Sequence, residues 1–172
     1  MRTITDRFGL GLMEIFRFSA HLRLRHPNAD PDVISKRMGR PVRRQWRTGE
    51  LMRGPEGASL GRAYSDTYWS SEPREGEDSE LIAVMESDLQ DLEKREPFLR
   101  EFRDSGGRVV YYVSWFSGDR SGGETISFEI LRRMADLRIS LALDVYSAAA
   151  PDAVSGDVQR SAQMQPADGG TV

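Results

Sequence analysis

The sequence predicts an α+β domain, and three observations predict it. Residues 16–25 alternate apolar and polar with period two. Residues 79–94 and 127–137 instead carry apolar residues three and four apart. Further short apolar or aromatic runs lie between glycine and proline breaks, and strand-like and helix-like stretches do not alternate in a strict β-α repeat. With 172 residues the chain has room for one domain with a proper core.

In order, residues 1–13 read as a flexible arm and residues 14–147 as the domain. In "IFRFSAHLRLRH", Phe16, Phe18, Ala20, Leu22 and Leu24 share one face, and Arg17, Ser19, His21, Arg23 and Arg25 share the other. That predicts a half-buried strand with a basic outer face, ended by Pro27. Asp30 then suits an N-cap, Pro31 the first helical position and Gly39 a C-terminal cap. Val33, Ile34, Arg37 and Met38 are expected on one side of this short helix. "PVRRQWRTGE" reads as a strand turned by Gly49, with Val42, Arg44, Trp46 and Thr48 on one side and Arg43, Gln45 and Arg47 on the other. "RGPEGASLG" reads as loop, and "AYSDTYWSS" as a strand pairing with the one before it. "EPREGED" reads as a polar connection. Leu81, Val84, Met85, Leu89 and Leu92 form a helical stripe. Pro97 breaks it, and Phe98, Leu99 and Phe102 continue a second short helix to Gly106-Gly107. "RVVYYVSWF" is apolar on both faces and so an interior strand. "SGDRSGGET" is a loop rich in glycine. Ser127 caps a helix carrying Ile130, Leu131, Met134 and Leu137. "RISLALDVY" closes the domain, with Ile139, Leu141, Leu143 and Val145 inward. Residues 148–172 keep no periodic apolar face and are expected to be disordered. The order β-α-β-β-α-β-α-β predicts a ferredoxin-like core extended by a further α-β. The sheet is expected to be largely antiparallel, with helices on one face.

Composition narrows the chemistry. The absence of cysteine excludes disulfides, thiolate metal sites and a cysteine nucleophile. No apolar run approaches the roughly 20 residues of a membrane-spanning helix, and the N-terminus lacks the apolar core of a signal peptide. A cytoplasmic protein is the expectation. The net charge of −3 excludes a generally polycationic nucleic-acid coat. It hides an asymmetry: residues 36–53 carry seven basic and one acidic residue, residues 72–104 twelve acidic and five basic. Two such blocks can pair with each other, within or between molecules, or stay solvated.

Some landmarks occur together. They are the Asp30-Pro31 helix start, Gly39-x-Pro41, the Trp46-x-x-Gly49-Glu50 turn, Trp69 after the aromatic run, and a closing helix and strand ending Asp144-x-Tyr146. In that order and spacing, over residues 16–146, the chain resembles the bacterial family known as domain of unknown function 4279. The resemblance implies a small bacterial α+β domain and supplies no catalytic residues.

No pattern of reactive residues stands out. His21 and His26, five apart on one strand, point to opposite faces and do not suit one metal ion. No nucleophile motif accompanies them. Glu75, Glu77, Asp78 and Glu80 lie in a hydrophilic run and are expected to be solvated ahead of a helix. "SGDRSGGE" lacks the lysine and spacing of a phosphate loop. No metal, cofactor or catalytic residue is therefore expected. The surface to pursue is the basic side of the sheet: Arg17, Arg23 and Arg25 with Arg43 and Arg47, joined by Tyr112 and Phe116 from the interior strand. Trp46 reads as a core or edge anchor. The expectation is a non-enzymatic interaction domain with a protein partner. A toxin-neutralising immunity protein is one form of it, by analogy with other small acidic α+β domains. Binding of single-stranded RNA or DNA through the same face is the alternative. An enzyme without a recognisable motif is the third.

Overall fold

The structure is a computed structural model that describes residues 16–117 and 123–147. The expected arm over 1–13, the tail over 148–172 and most of the glycine-rich loop lie outside the described residues. Strand β1 (Arg17–His26) organises the rest, because its alternation leaves one side fully apolar: Phe18, Ala20, Leu22 and Leu24 are buried. Helix α1 (Pro31–Met38) follows. Its Asp30 cap accepts from the Asp32 amide at 2.9 Å, and Gly39 ends it in the left-handed conformation at φ 59°. A side chain is disfavoured there by about 1–2 kcal/mol. Ile34 and Met38 are buried, but Val33, expected beside them, is exposed.

β2 (Val42–Trp46) pairs antiparallel with β5 (Thr67–Ser71) as expected. The connection expected to be loop contains its own small hairpin, β3 (Leu51–Arg53) with β4 (Ser59–Ala63). The polar connection after β5 contains β6 (Arg74–Glu77), which pairs with the first half of β1. Helices α2 (Leu81–Glu93) and α3 (Glu96–Asp104) come next, with Pro97 inside the first turn of α3, where its missing amide costs nothing. β7 (Arg108–Ser117) runs antiparallel beside β1, and α4 (Phe128–Asp136), capped by Ser127, returns the chain to β8 (Ser140–Ser147), parallel to β7.

The main sheet has the order β2-β5-β1-β7-β8, with β6 beside β1. Every neighbouring pair is antiparallel except β7–β8. The fold is α+β with a mixed, mostly antiparallel sheet, and the order β2-β5-β1-β7 is compatible with the ferredoxin-like arrangement. The four helices among the described residues share one side of it. There Trp69 donates to Ser35 of α1 at 2.9 Å, Tyr111 donates to Asp88 of α2 at 2.8 Å, and Ile130 and Met134 of α4 join the same core. Fully burying one Leu of this core contributes about 1.5–3 kcal/mol.

Two apolar assignments are corrected. Leu143 and Val145 face the helix side but stand exposed, because β8 is the edge strand and nothing described lies beyond it. Leu131 is likewise exposed, on the flank of α4. The two charge blocks meet inside the molecule. Arg40 pairs with Asp88 at 2.9 Å and Asp91 at 3.0 Å, and Arg37 with Glu101 at 3.8 Å. No helix among the described residues is long and apolar enough to cross a membrane.

Candidate interaction face

The side of the sheet away from the helices gathers the residues that the alternation placed outward. Direct pairing builds it row by row. Arg17 lies beside Phe116, and Phe116 beside Tyr146; His21 lies beside Tyr112, and Tyr112 beside Ala142. Ser70 joins Arg44 to Arg23, and Tyr68 joins Trp46 to Arg25. Five of the expected residues are therefore brought to one face: Arg17, Arg23, Arg25, Tyr112 and Phe116.

Arg47 is not among them, and no strand pairing fixes the side of Arg43. The register of β2 against β5 shifts between Val42 and Arg44, so Arg43 is the extra residue of a bulge. A bulge of one residue reverses the alternation beyond it. Val42 lies on the helix side with Ser71, while Arg44 and Trp46 lie on the open side with Ser70 and Tyr68. Arg47 instead reaches α1 and donates to Asp30 at 2.7 Å. The Asp32 amide and then Arg47 hold the Asp30 carboxyl below its ordinary pKa.

Arginines and rings alternate on this face. The Arg23 guanidinium lies 3.3 Å from the Tyr112 ring centroid and donates to Nε2 of His21 at 2.9 Å. His21 is consequently buried despite facing outward. Trp46 is stacked between Tyr64 at 4.4 Å and Tyr68 at 4.2 Å, and its indole N–H meets no acceptor among the described residues. Arg25 lies 5.1 Å from the Tyr68 ring and is held by both oxygens of Asp66, at 3.0 and 3.3 Å. Phe116 stacks on Tyr146 at 5.2 Å and remains exposed. Arg44, Trp46, Tyr64, Tyr68 and Tyr146 were not legible as members. The signal for the first two is the bulge, and nothing in the spacing marks it.

Arg17 stands at the rim of an open hollow of about 570 Å³ lined by Glu75, Gly76, Glu77 and Glu80. The three glutamates are exposed, which suits solvation rather than acid catalysis.

A second polar cluster lies beneath the helices. Asp88 of α2 is buried and receives Arg40 at 2.9 Å, Arg74 at 3.3 Å and the Tyr111 hydroxyl at 2.8 Å. Burial, then the Asp88 charge, raises the Tyr111 pKa well above its ordinary value. Burial also raises the neighbouring Asp91 carboxyl, but hydrogen bonds from Arg40 and Arg95 outweigh it and leave its pKa lowered. These groups satisfy one another. His26, on the opposite side of β1 from His21, accepts the Asn28 and Ala29 amides at Nδ1. Among the described residues no group of three or more His, Asp or Glu side chains is arranged to hold a metal ion.

No curated protein and no solved structure matches the chain significantly. A family model does: the domain of unknown function DUF4279 matches residues 15–148, the whole span from the start of β1 to the end of β8, and the chain belongs to that family.

Proposed function

We propose that this is a non-enzymatic interaction domain of the bacterial cytoplasm that binds a protein partner through the helix-free side of its sheet. The observation that carries the reading is the exposed Phe116 stacked on the half-buried Tyr146, on the same face as the Arg23–Tyr112 and Arg25–Tyr68 stacks. Aromatic and arginine side chains at the centre of a patch are the groups that anchor protein interfaces.

The same details count against nucleic acid. Phosphate binding needs free cations, and base stacking needs free ring faces. Arg25 is neutralised by Asp66, Arg23 already covers Tyr112, and both faces of Trp46 are occupied by tyrosines. Asp144 adds a negative charge one row from Phe116. Fluorescence anisotropy with a mixed-sequence single-stranded oligonucleotide at low salt separates the two. The expected result is no binding at micromolar protein. Binding that weakens steeply with salt, and that Arg44→Ala reduces, would support the nucleic-acid reading instead.

A further inference from the structure

The helix-free side of the sheet is charged unevenly along its strands. At the Arg17 end the cross-strand rows read Glu77–Arg17–Phe116–Tyr146 and Glu75–Ser19–Ser114–Asp144. At the other end they read Arg44–Ser70–Arg23–Val110–Ser140 and Trp46–Tyr68–Arg25–Arg108. Directly paired residues project to the same side of a sheet, so Glu75, Glu77 and Asp144 share the open face with Arg44 and Arg108. All five are exposed. None of the five forms an ion pair among the described residues. One end therefore carries three carboxylates against Arg17. The other carries four arginines against Asp66, which holds Arg25. His21, Tyr112 and Ala142 form the row between the two ends.

Such a face is complementary to itself. Consider two copies packed face to face about a twofold axis that runs across the strands, level with His21. The row of Arg17 then lies over the row of Arg25, and the row of Ser19 over the row of Arg23. The acidic end of each copy meets the basic end of the other, twice. Glu75 comes over Ser70 of the second copy, between its Arg23 and Arg44. Arg17 comes over Arg25, whose charge Asp66 already offsets. An axis along the strands would instead set like end on like end and repel at both. Shape agrees with charge, because the open hollow of about 570 Å³ lined by Arg17, Glu75, Gly76, Glu77 and Glu80 gives the acidic end room for an incoming arginine. A partner of one sign would suit only one end. With residues about 3.3 Å apart along a strand and strands about 4.8 Å apart, the face offers about 600 Å² on each copy. Two such faces bury about 1,200 Å², the size at which specific interfaces begin.

We infer that the occupant of this face is a second copy of the chain, seated end to end on the same surface. The inference rests on the reading of the face as a protein-binding surface and names its partner. Sedimentation equilibrium of the full chain, from low to high micromolar protein, tests it. The wild type is expected to reach twice the chain mass, with an affinity that falls as salt rises. Glu75→Arg with Glu77→Arg makes both ends basic, and Arg44→Glu with Arg108→Glu makes both acidic. These positions are exposed, so the core is untouched. Each variant alone is expected to dimerise at least tenfold more weakly, and the two mixed in equal amounts to pair with each other as tightly as the wild type. A monomeric wild type overturns the inference. So does a dimer that both variants keep, or two folded variants that do not pair when mixed. A monomer that still retains a lysate protein through Phe116 defeats this inference alone and leaves the proposed function standing, whereas a monomer that retains nothing defeats both.

Discussion

Asp88 is the residue on which most of the polar interior converges. Its carboxylate is 3% exposed and joins α2 to the start of β2 through Arg40, to β6 through Arg74 and to β7 through Tyr111. Removing one partner of such a group leaves the others buried and uncompensated. Asp88→Ala is expected to lower stability by about 3–5 kcal/mol. Urea unfolding reads this as a lower midpoint with an unchanged slope. A loss under about 1 kcal/mol contradicts the network. The sequence concealed this residue. Asp88 falls on the same helical stripe as Leu81, Met85, Leu89 and Leu92, and a charge on an apolar stripe reads as an interruption rather than a hub. Its partners Arg40 and Tyr111 lie 48 and 23 residues away, so only the tertiary fold brings them together.

Among the elements, caps and periodicities were the legible part. Asp30, Gly39, Pro97 and Ser127 act where their chemistry places them, because each works within one turn of backbone. The β2 bulge was not legible, since alternation assumes a register that only the partner strand sets. One extra residue at Arg43 turned Arg44 and Trp46 to the open face and Arg47 away from it. The hairpin of β3 and β4 escaped for a related reason: its strands are short and exposed and carry little apolar signal. The junction of β1, α1 and α3 yields a pH prediction. With Nδ1 of His26 accepting two amides, its proton resides on Nε2, which donates to the Ser105 hydroxyl at 3.1 Å. Burial lowers the His26 pKa below 6.5, and the contact with Ser105 offsets this only in part. Below pH 6.5 the unfolded chain takes up a proton that the folded chain resists. The stability contribution of His26 is therefore complete above pH 6.5 and is lost as the pH falls toward the folded pKa. Between pH 7.5 and 5.5 the wild type is expected to lose more stability than His26→Gln. Equal losses by urea midpoint contradict the assignment.

For the whole molecule, the order of elements and the one-sided placement of helices were readable, because a strand buried on one face must meet helices on that side only. The two charge blocks were also readable, but their pairing was not. Arg40 turns inward onto Asp88 and Asp91, Arg37 meets Glu101 at the surface and Arg47 meets Asp30, so the basic stretch around Trp46 supplies less free charge than its composition implies. That is why the account favours a protein partner over a polyanion. The most direct test is comparative capture from native lysate. Immobilised wild type is set beside Phe116→Glu, on the proposed face, and Arg132→Glu, on the exposed side of α4. The account predicts a protein retained in near-stoichiometric amount by the wild type and by Arg132→Glu, lost with Phe116→Glu and insensitive to nuclease. Equal retention by all three, or retention that nuclease abolishes, contradicts it.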